Sequence, residues 1–222
     1  MKKKILVACL CVALAVLTVA GTTLAYLTSQ QTVTNTFTVG NVKITLDEAK
    51  VNLAGEPLDK DGKPVEKVAD AARVDSNNYK LMPGHTYVKD PTVTVLKDSE
   101  PSYIKMTVTF SNASALDAIF APAGADMTSI FQGYDAANWI AKGNTKDATA
   151  NTRTYEFWYK ETVSAPDANV VLDALFDSIK VPDTITGEQL ETIEGMTITV
   201  NAYAIQADGF ANADAAWEKF GN

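Results

Sequence analysis

Apolar residues recur at every second position through most of this chain, and that period constrains its fold more than any other feature. In SYIKMTVTF, Ile104, Met106, Val108 and Phe110 alternate with Lys105, Thr107 and Thr109, the pattern of a strand with one buried face. MTITVNAYAI repeats it through Met196, Ile198, Val200, Ala202 and Ala204. TYEFWYK does so through Tyr155, Phe157 and Tyr159, which puts Trp158 on the opposite side. Short strands separated by turn signals, without a βαβ rhythm, predict an all-β fold: an antiparallel β-sandwich, jelly-roll-like, with short helical insertions.

The N-terminus departs from that period. Lys2, Lys3 and Lys4 precede an apolar run from Ile5 to Ala20 broken only by Thr18, followed by Gly21-Thr22-Thr23-Leu24-Ala25. This is the order of a secretory signal, with Thr23 and Ala25 at the two small positions a signal peptidase reads. Cleavage is expected after Ala25, leaving Tyr26 first and residues 26–222 as a single secreted domain. An uncleaved anchor is the alternative, since Ile5 to Leu27 is 23 residues long; membrane contact is expected only through that uncleaved segment. Cys9 and Cys11 both fall inside it, so the secreted chain carries no disulfide, thiolate metal site or cysteine nucleophile. Its 16 basic and 27 acidic side chains, net −11, repel phosphate backbones and argue against nucleic acid as a partner.

From Tyr26 onward, Leu27, Val33, Phe37 and Val39 occupy odd positions with Thr, Ser and Gln between them. Val42, Ile44 and Leu46 occupy even ones, so the phase flips at Gly40-Asn41, where a β-bulge is expected. Residues 50–80 read as a polar excursion or hairpin. Leu116, Ile119 and Phe120 follow helical spacing, and a helical insertion is expected over 113–150. A last short helix is expected at NADAAWEKF, with Asn212 as its cap and Ala213, Trp217 and Phe220 along one face.

TTLAYLTSQQTVTNTFTVGNVKITLDE, KLMPGHTYVKDPTVTVLKDSEPSYIKMTV, TYEFWYK, LFDSIKVP and ITVNAYAIQADGF together resemble secreted proteins with the SipW-dependent type of signal peptide, the TasA/camelysin-like family. The resemblance implies a jelly-roll domain, processing by a SipW-type signal peptidase, and a place outside the cell. For TasA-like members it further implies biofilm-matrix fibres in which the N-terminal segment of one subunit pairs with the sheet of the next. The camelysin label implies metal-dependent proteolysis.

The residues weigh differently on these functions. His85, the single histidine, follows the turn dipeptide Pro83-Gly84 and reads as solvent-facing. With one histidine and no cysteine after cleavage, the usual zinc ligand sets do not assemble, and no Gly-x-Ser-x-Gly elbow presents a serine. LDKDGK offers Asp59 and Asp61 before Gly62, but a calcium-loop frame puts Pro57 first and Val68 twelfth, so an Asp-Gly turn is the better reading. Trp139, Trp158 and the nearby tyrosines allow a carbohydrate platform. No catalytic residue, metal or cofactor is therefore assigned. The leading expectation is a secreted, non-enzymatic subunit of the extracellular matrix or cell surface, whose partner is a second copy or another surface protein. Its assembly strand would carry Leu27, Val33, Phe37 and Val39, freed at Tyr26 and adding to another molecule's sheet by backbone hydrogen bonds. A camelysin-like protease and a carbohydrate-binding module are the alternatives.

Overall fold

The computed structural model describes residues 40–120 and 129–220. The chain divides into two units, Met1–Val39 and Gly40–Asn222, and every described residue belongs to the second. Thr23, Ala25 and Tyr26, and the assembly-strand positions Leu27, Val33, Phe37 and Val39, lie outside the described residues, as does one side of the bulge expected at Gly40-Asn41.

The alternating segments are strands, and their alternation builds the core. β5 (Ser99–Ser111) is the axis of the largest sheet, with β12 (Ile198–Gln206) antiparallel on one side and β8 (Thr152–Tyr159) on the other. Val108 lies opposite both Val200 and Tyr155, and Met106 opposite both Ala202 and Phe157. One face of three strands is thereby apolar in register, and Ile104, Met106, Val108, Tyr155 and Phe157 are fully buried. β7 (Trp139–Asp147) extends the sheet beyond β8 with a register shift at Ala141/Gly143, and β9 (Val163–Ala165) pairs with the start of β5.

A second sheet has the order β10 (Val170–Val171), β4 (Thr92–Val95), β1 (Ile44–Ala49), β2 (Arg73–Val74), all antiparallel. A third joins β3 (Thr86–Val88), β11 (Ser178–Lys180) and β6 (Phe131–Gln132). Val93, Val95, Phe131, Leu175 and Phe176 from these sheets and their connections meet the large sheet in one core. Phe131 stacks on Phe176 at 4.4 Å and meets Tyr155 edge-on at 5.6 Å. Each such side chain removed from water contributes about 1.5–3 kcal/mol. The all-β, antiparallel sandwich class expected from the period is the class observed.

The helices are short. α1 (Ala113–Phe120) buries Leu116 and Phe120 against the core, as their spacing predicts. The rest of the expected insertion is corrected: Phe131–Gln132 and Trp139–Asp147 are strands, not helix. Trp139 is buried and Ile140 exposed, a period-two pattern that the polar run after Lys142 and the shift at Gly143 conceal. α2 (Gly187–Thr192) was not foreseen, although Thr186-Gly187-Glu188-Gln189 is a capping-box sequence; Gln189 N–H donates to Thr186 Oγ1, and Thr186 N–H to Gln189 Oε1. α3 (Ala213–Phe220) starts where expected, with Asn212 Oδ1 accepting from Ala215 N–H at 2.9 Å. Its buried residues are Ala216 and Trp217, whereas Phe220 is exposed, because the helix rests on the sheet through its middle turn.

The 50–80 excursion holds its shape with local bonds. Asp59 Oδ1 accepts from the amides of Asp61 and Lys63, and Gly62 takes a positive φ of 79°, so LDKDGK forms the Asp-Gly turn. Gly55 lets the excursion lie against β3: a Cβ there would sit 2.7 Å from Tyr87 Cα.

Candidate functional site

The feature that stands out is a groove between two strand edges. β1 and β12 run beside one another without pairing; β12 is an edge of its sheet, and β1 is paired on the side away from β4 only at Glu48 and Ala49, by β2. Lys50 N–H donates to Ala72 O on the β2 side, while Leu96 N–H donates to Lys43 O on the β4 side. Alternation therefore turns the N–H and C=O groups of Ile44 and Leu46 away from β4, toward the edge that β2 leaves uncovered. On β12, Thr197 O accepts from Ser111, and Ala207 N–H donates to Pro101 O. Odd-numbered residues thus face β5, and the backbone groups of Ile198, Val200, Ala202 and Ala204 face outward. Among the described residues no strand pairs with that side of β12, or with that side of β1 before Glu48.

The groove has a volume of about 1140 Å³. Leu46, Leu81, Ile193, Met196, Ile198 and Val200 supply its apolar lining, and Glu48, Asn77 and Lys89 its polar wall. That wall is a buried network. Lys89 Nζ donates to Glu48 Oε2 at 2.5 Å, with both side chains only 7% exposed. Asn77 Nδ2 donates to Glu48 Oε1 at 2.9 Å, and Tyr79 Oη donates to Val88 O at 3.1 Å. Burial, and then the Glu48 charge, push the Tyr79 hydroxyl well above its usual range, so it stays a neutral donor. Next to this, Asp90 accepts from Ala49 N–H at 2.6 Å and from Arg73, which also reaches Asp47 at 2.7 Å. Burial opposes the Arg73 charge, but the bonds to Asp90 and Asp47 more than offset it and raise its pKa.

None of these groups was singled out from the sequence. Glu48 and Lys89 are 41 residues apart, a separation with no recognisable spacing. The one usable signal was Leu46, already placed on the even face of the first strand.

The other expected sites resolve plainly. His85 is exposed beside the Pro83-Gly84 turn, its ring tilted against Tyr87 at 6.2 Å. Trp139 is core. Trp158 does lie on the outer face, but Lys142 Nζ sits 3.8 Å from its ring centroid, its Nε1 donates to Glu156, and Trp217 of α3 lies 6.3 Å away. The face a sugar would stack on is therefore occupied by the protein's own side chains.

Residues 1–56, about a quarter of the chain, are similar to the family model described as camelysin metallo-endopeptidase. No curated protein and no solved structure matches the chain. The described residues do not fit the metal centre that the family description names: among them no group of three or more His, Cys, Asp or Glu side chains converges on one point, and His85 stands alone on its turn.

Proposed function

We propose that this protein is a secreted structural subunit of the extracellular matrix or cell surface. In this reading it assembles when residues 26–39 of one copy, freed by a SipW-type signal peptidase, add as a strand to the β1/β12 groove of another. The observation that supports it is the unpaired edge of β12 beside the stretch of β1 that β2 leaves uncovered, with an apolar lining between them. The segment suits the groove chemically. Threonine favours extended backbone, and in a strand Val33, Phe37 and Val39, all of one parity, would share one apolar face. The nine residues of β12 span about 30 Å, well within the reach of the fourteen residues from Tyr26 to Val39.

The test is sedimentation of the chain beginning at Tyr26 beside one beginning at Thr36. The longer form is expected to form multimers and the shorter to remain folded and monomeric. Equal profiles, or a longer form that is monomeric at every concentration because its own segment fills its own groove, would overturn the reading.

The protease reading follows from the family description, and casein digestion with and without a chelator tests it. No chelator-sensitive cleavage is expected, because a single exposed histidine does not complete a zinc ligand set.

A further inference from the structure

Glu48, Lys89 and Asn77 form an arrangement that a structural ion pair does not require. A lysine amine and an asparagine carboxamide nitrogen sit on the two oxygens of one buried carboxylate: Lys89 Nζ on Oε2 at 2.5 Å and Asn77 Nδ2 on Oε1 at 2.9 Å. The carboxamide is also fixed in orientation, since its Oδ1 accepts Val51 N–H at 2.9 Å and its Nδ2 donates to Ala49 O at 2.9 Å. The Glu48 and Lys89 side chains are each only 7% exposed, and Tyr79, which packs edge-on against Tyr87, donates its hydroxyl to Val88 O next to Lys89.

We propose that Lys89 and Asn77 join through an intramolecular isopeptide bond formed with Glu48 as the proton carrier. The ammonium of Lys89 passes a proton to Glu48 Oε2, and the neutral amine adds to Cγ of Asn77. Charge develops on Asn77 Oδ1, where the Val51 N–H already donates, in the position of an oxyanion donor. Glu48 relays that proton to Nδ2, takes a second from the added nitrogen and passes it on in turn, the Cγ–Nδ2 bond breaks, and the nitrogen leaves as ammonium. Of the three protons on Nζ, one stays on the new amide and two leave with the ammonium, while Glu48 returns to carboxylate. No oxidant, metal or cofactor enters the balance.

The bond would tie the segment after β2 to the junction of β3 and β4, closing residues 77–89 into a ring beside the groove. A wall braced in this way resists the opening of a strand edge under load, since the closed loop restricts the unfolded chain. The reaction is internal to one chain and proceeds whether or not copies associate.

Intact mass of the denatured full chain tests it, followed by peptide mapping. The expected mass is about 17 Da below that of the sequence, one ammonia, with the Lys89 peptide covalently joined to the Asn77 peptide. Glu48→Gln and Lys89→Arg are expected to show no such loss. A wild-type mass equal to that of its sequence after prolonged incubation overturns the proposal. So does a loss confined to the Asn77-Asn78 peptide, the signature of a succinimide, or a loss that survives in Glu48→Gln. The wild-type mass decides even where a variant fails to fold.

Discussion

The Arg153 guanidinium grips the Asp117 carboxylate at two points, Nε to Oδ1 at 2.9 Å and a terminal nitrogen to Oδ2 at 2.8 Å, and so ties α1 to β8. Lys146 adds a third contact from β7 at 2.9 Å. The Arg153 hydrogen bonds, opposed by partial burial and helped by Lys146, hold the Asp117 carboxyl below the usual carboxylate range.

A pH dependence follows. The folded value lies below the unfolded one of about 3.9. The contribution is therefore complete above that pH and is lost as pH falls through the folded value. Asp117 is 29% exposed, and solvent screening limits the expected effect to about 1 kcal/mol at neutral pH. Thermal melts from pH 7 to pH 3 should show Asp117→Asn destabilised at neutral pH and converging on the wild type in acid. Curves that stay parallel throughout would dissociate the pair from acid stability.

Asp90 carries a heavier load. It accepts a buried backbone N–H from Ala49 on one oxygen and the Arg73 guanidinium on the other. Asp90→Ala leaves the buried Ala49 N–H without its acceptor and removes one of the partners of Arg73, which keeps Asp47, and is expected to cost about 2 kcal/mol in urea unfolding. Asp90→Asn retains an acceptor for Ala49 and is expected to recover part of that. Equal losses in the two variants would mean that the backbone bond contributes nothing.

The strands were legible in the sequence because their signal is local: Ile104, Met106, Val108 and Phe110 declare a buried face without reference to any partner. β7 was not, because Gly143 shifts its register and its outer half is polar on both faces, leaving the helical spacing upstream as the stronger cue. The groove was invisible for a different reason. An open edge is the absence of a neighbour, and whether Leu46 and Val200 lack one depends on the order of strands in two sheets. The Glu48, Asn77 and Lys89 cluster is a meeting of three segments, and only the folded chain brings them together.

α3 is held to the outer face of the large sheet by aromatic and cationic contacts. Lys105 Nζ lies 4.7 Å from the Trp217 ring, which meets Phe220 edge-on at 5.4 Å. Trp217 is almost fully buried, so Trp217→Ala is expected to cost about 3 kcal/mol and to loosen the helix. Its indole N–H, however, has no hydrogen-bond partner among the described residues. Trp217→Phe keeps most of the packing and removes that unsatisfied donor, so it should lie within about 1 kcal/mol of the wild type. Denaturant midpoints separate the two; a phenylalanine variant as weak as the alanine one would mean that the N–H is satisfied in solution.

The parity of β12 makes the sharpest prediction about assembly. Thr199 N–H points into the ladder opposite Thr109, whereas Val200 N–H points out of the open edge. Proline removes one N–H and tolerates a strand only where that N–H faces outward. Val200→Pro, close in volume to the residue it replaces, should therefore leave the domain folded while removing a donor that an incoming strand needs. Thr199→Pro, one residue away, should break the β5 ladder and cost about 3 kcal/mol or more. Circular dichroism reads the fold and sedimentation reads the assembly. The expected pair is a folded monomer for Val200→Pro and a destabilised domain for Thr199→Pro. Multimers that persist undiminished in Val200→Pro would move the docking edge away from β12 and leave β1, through Ile44 and Leu46, as the strand to test next.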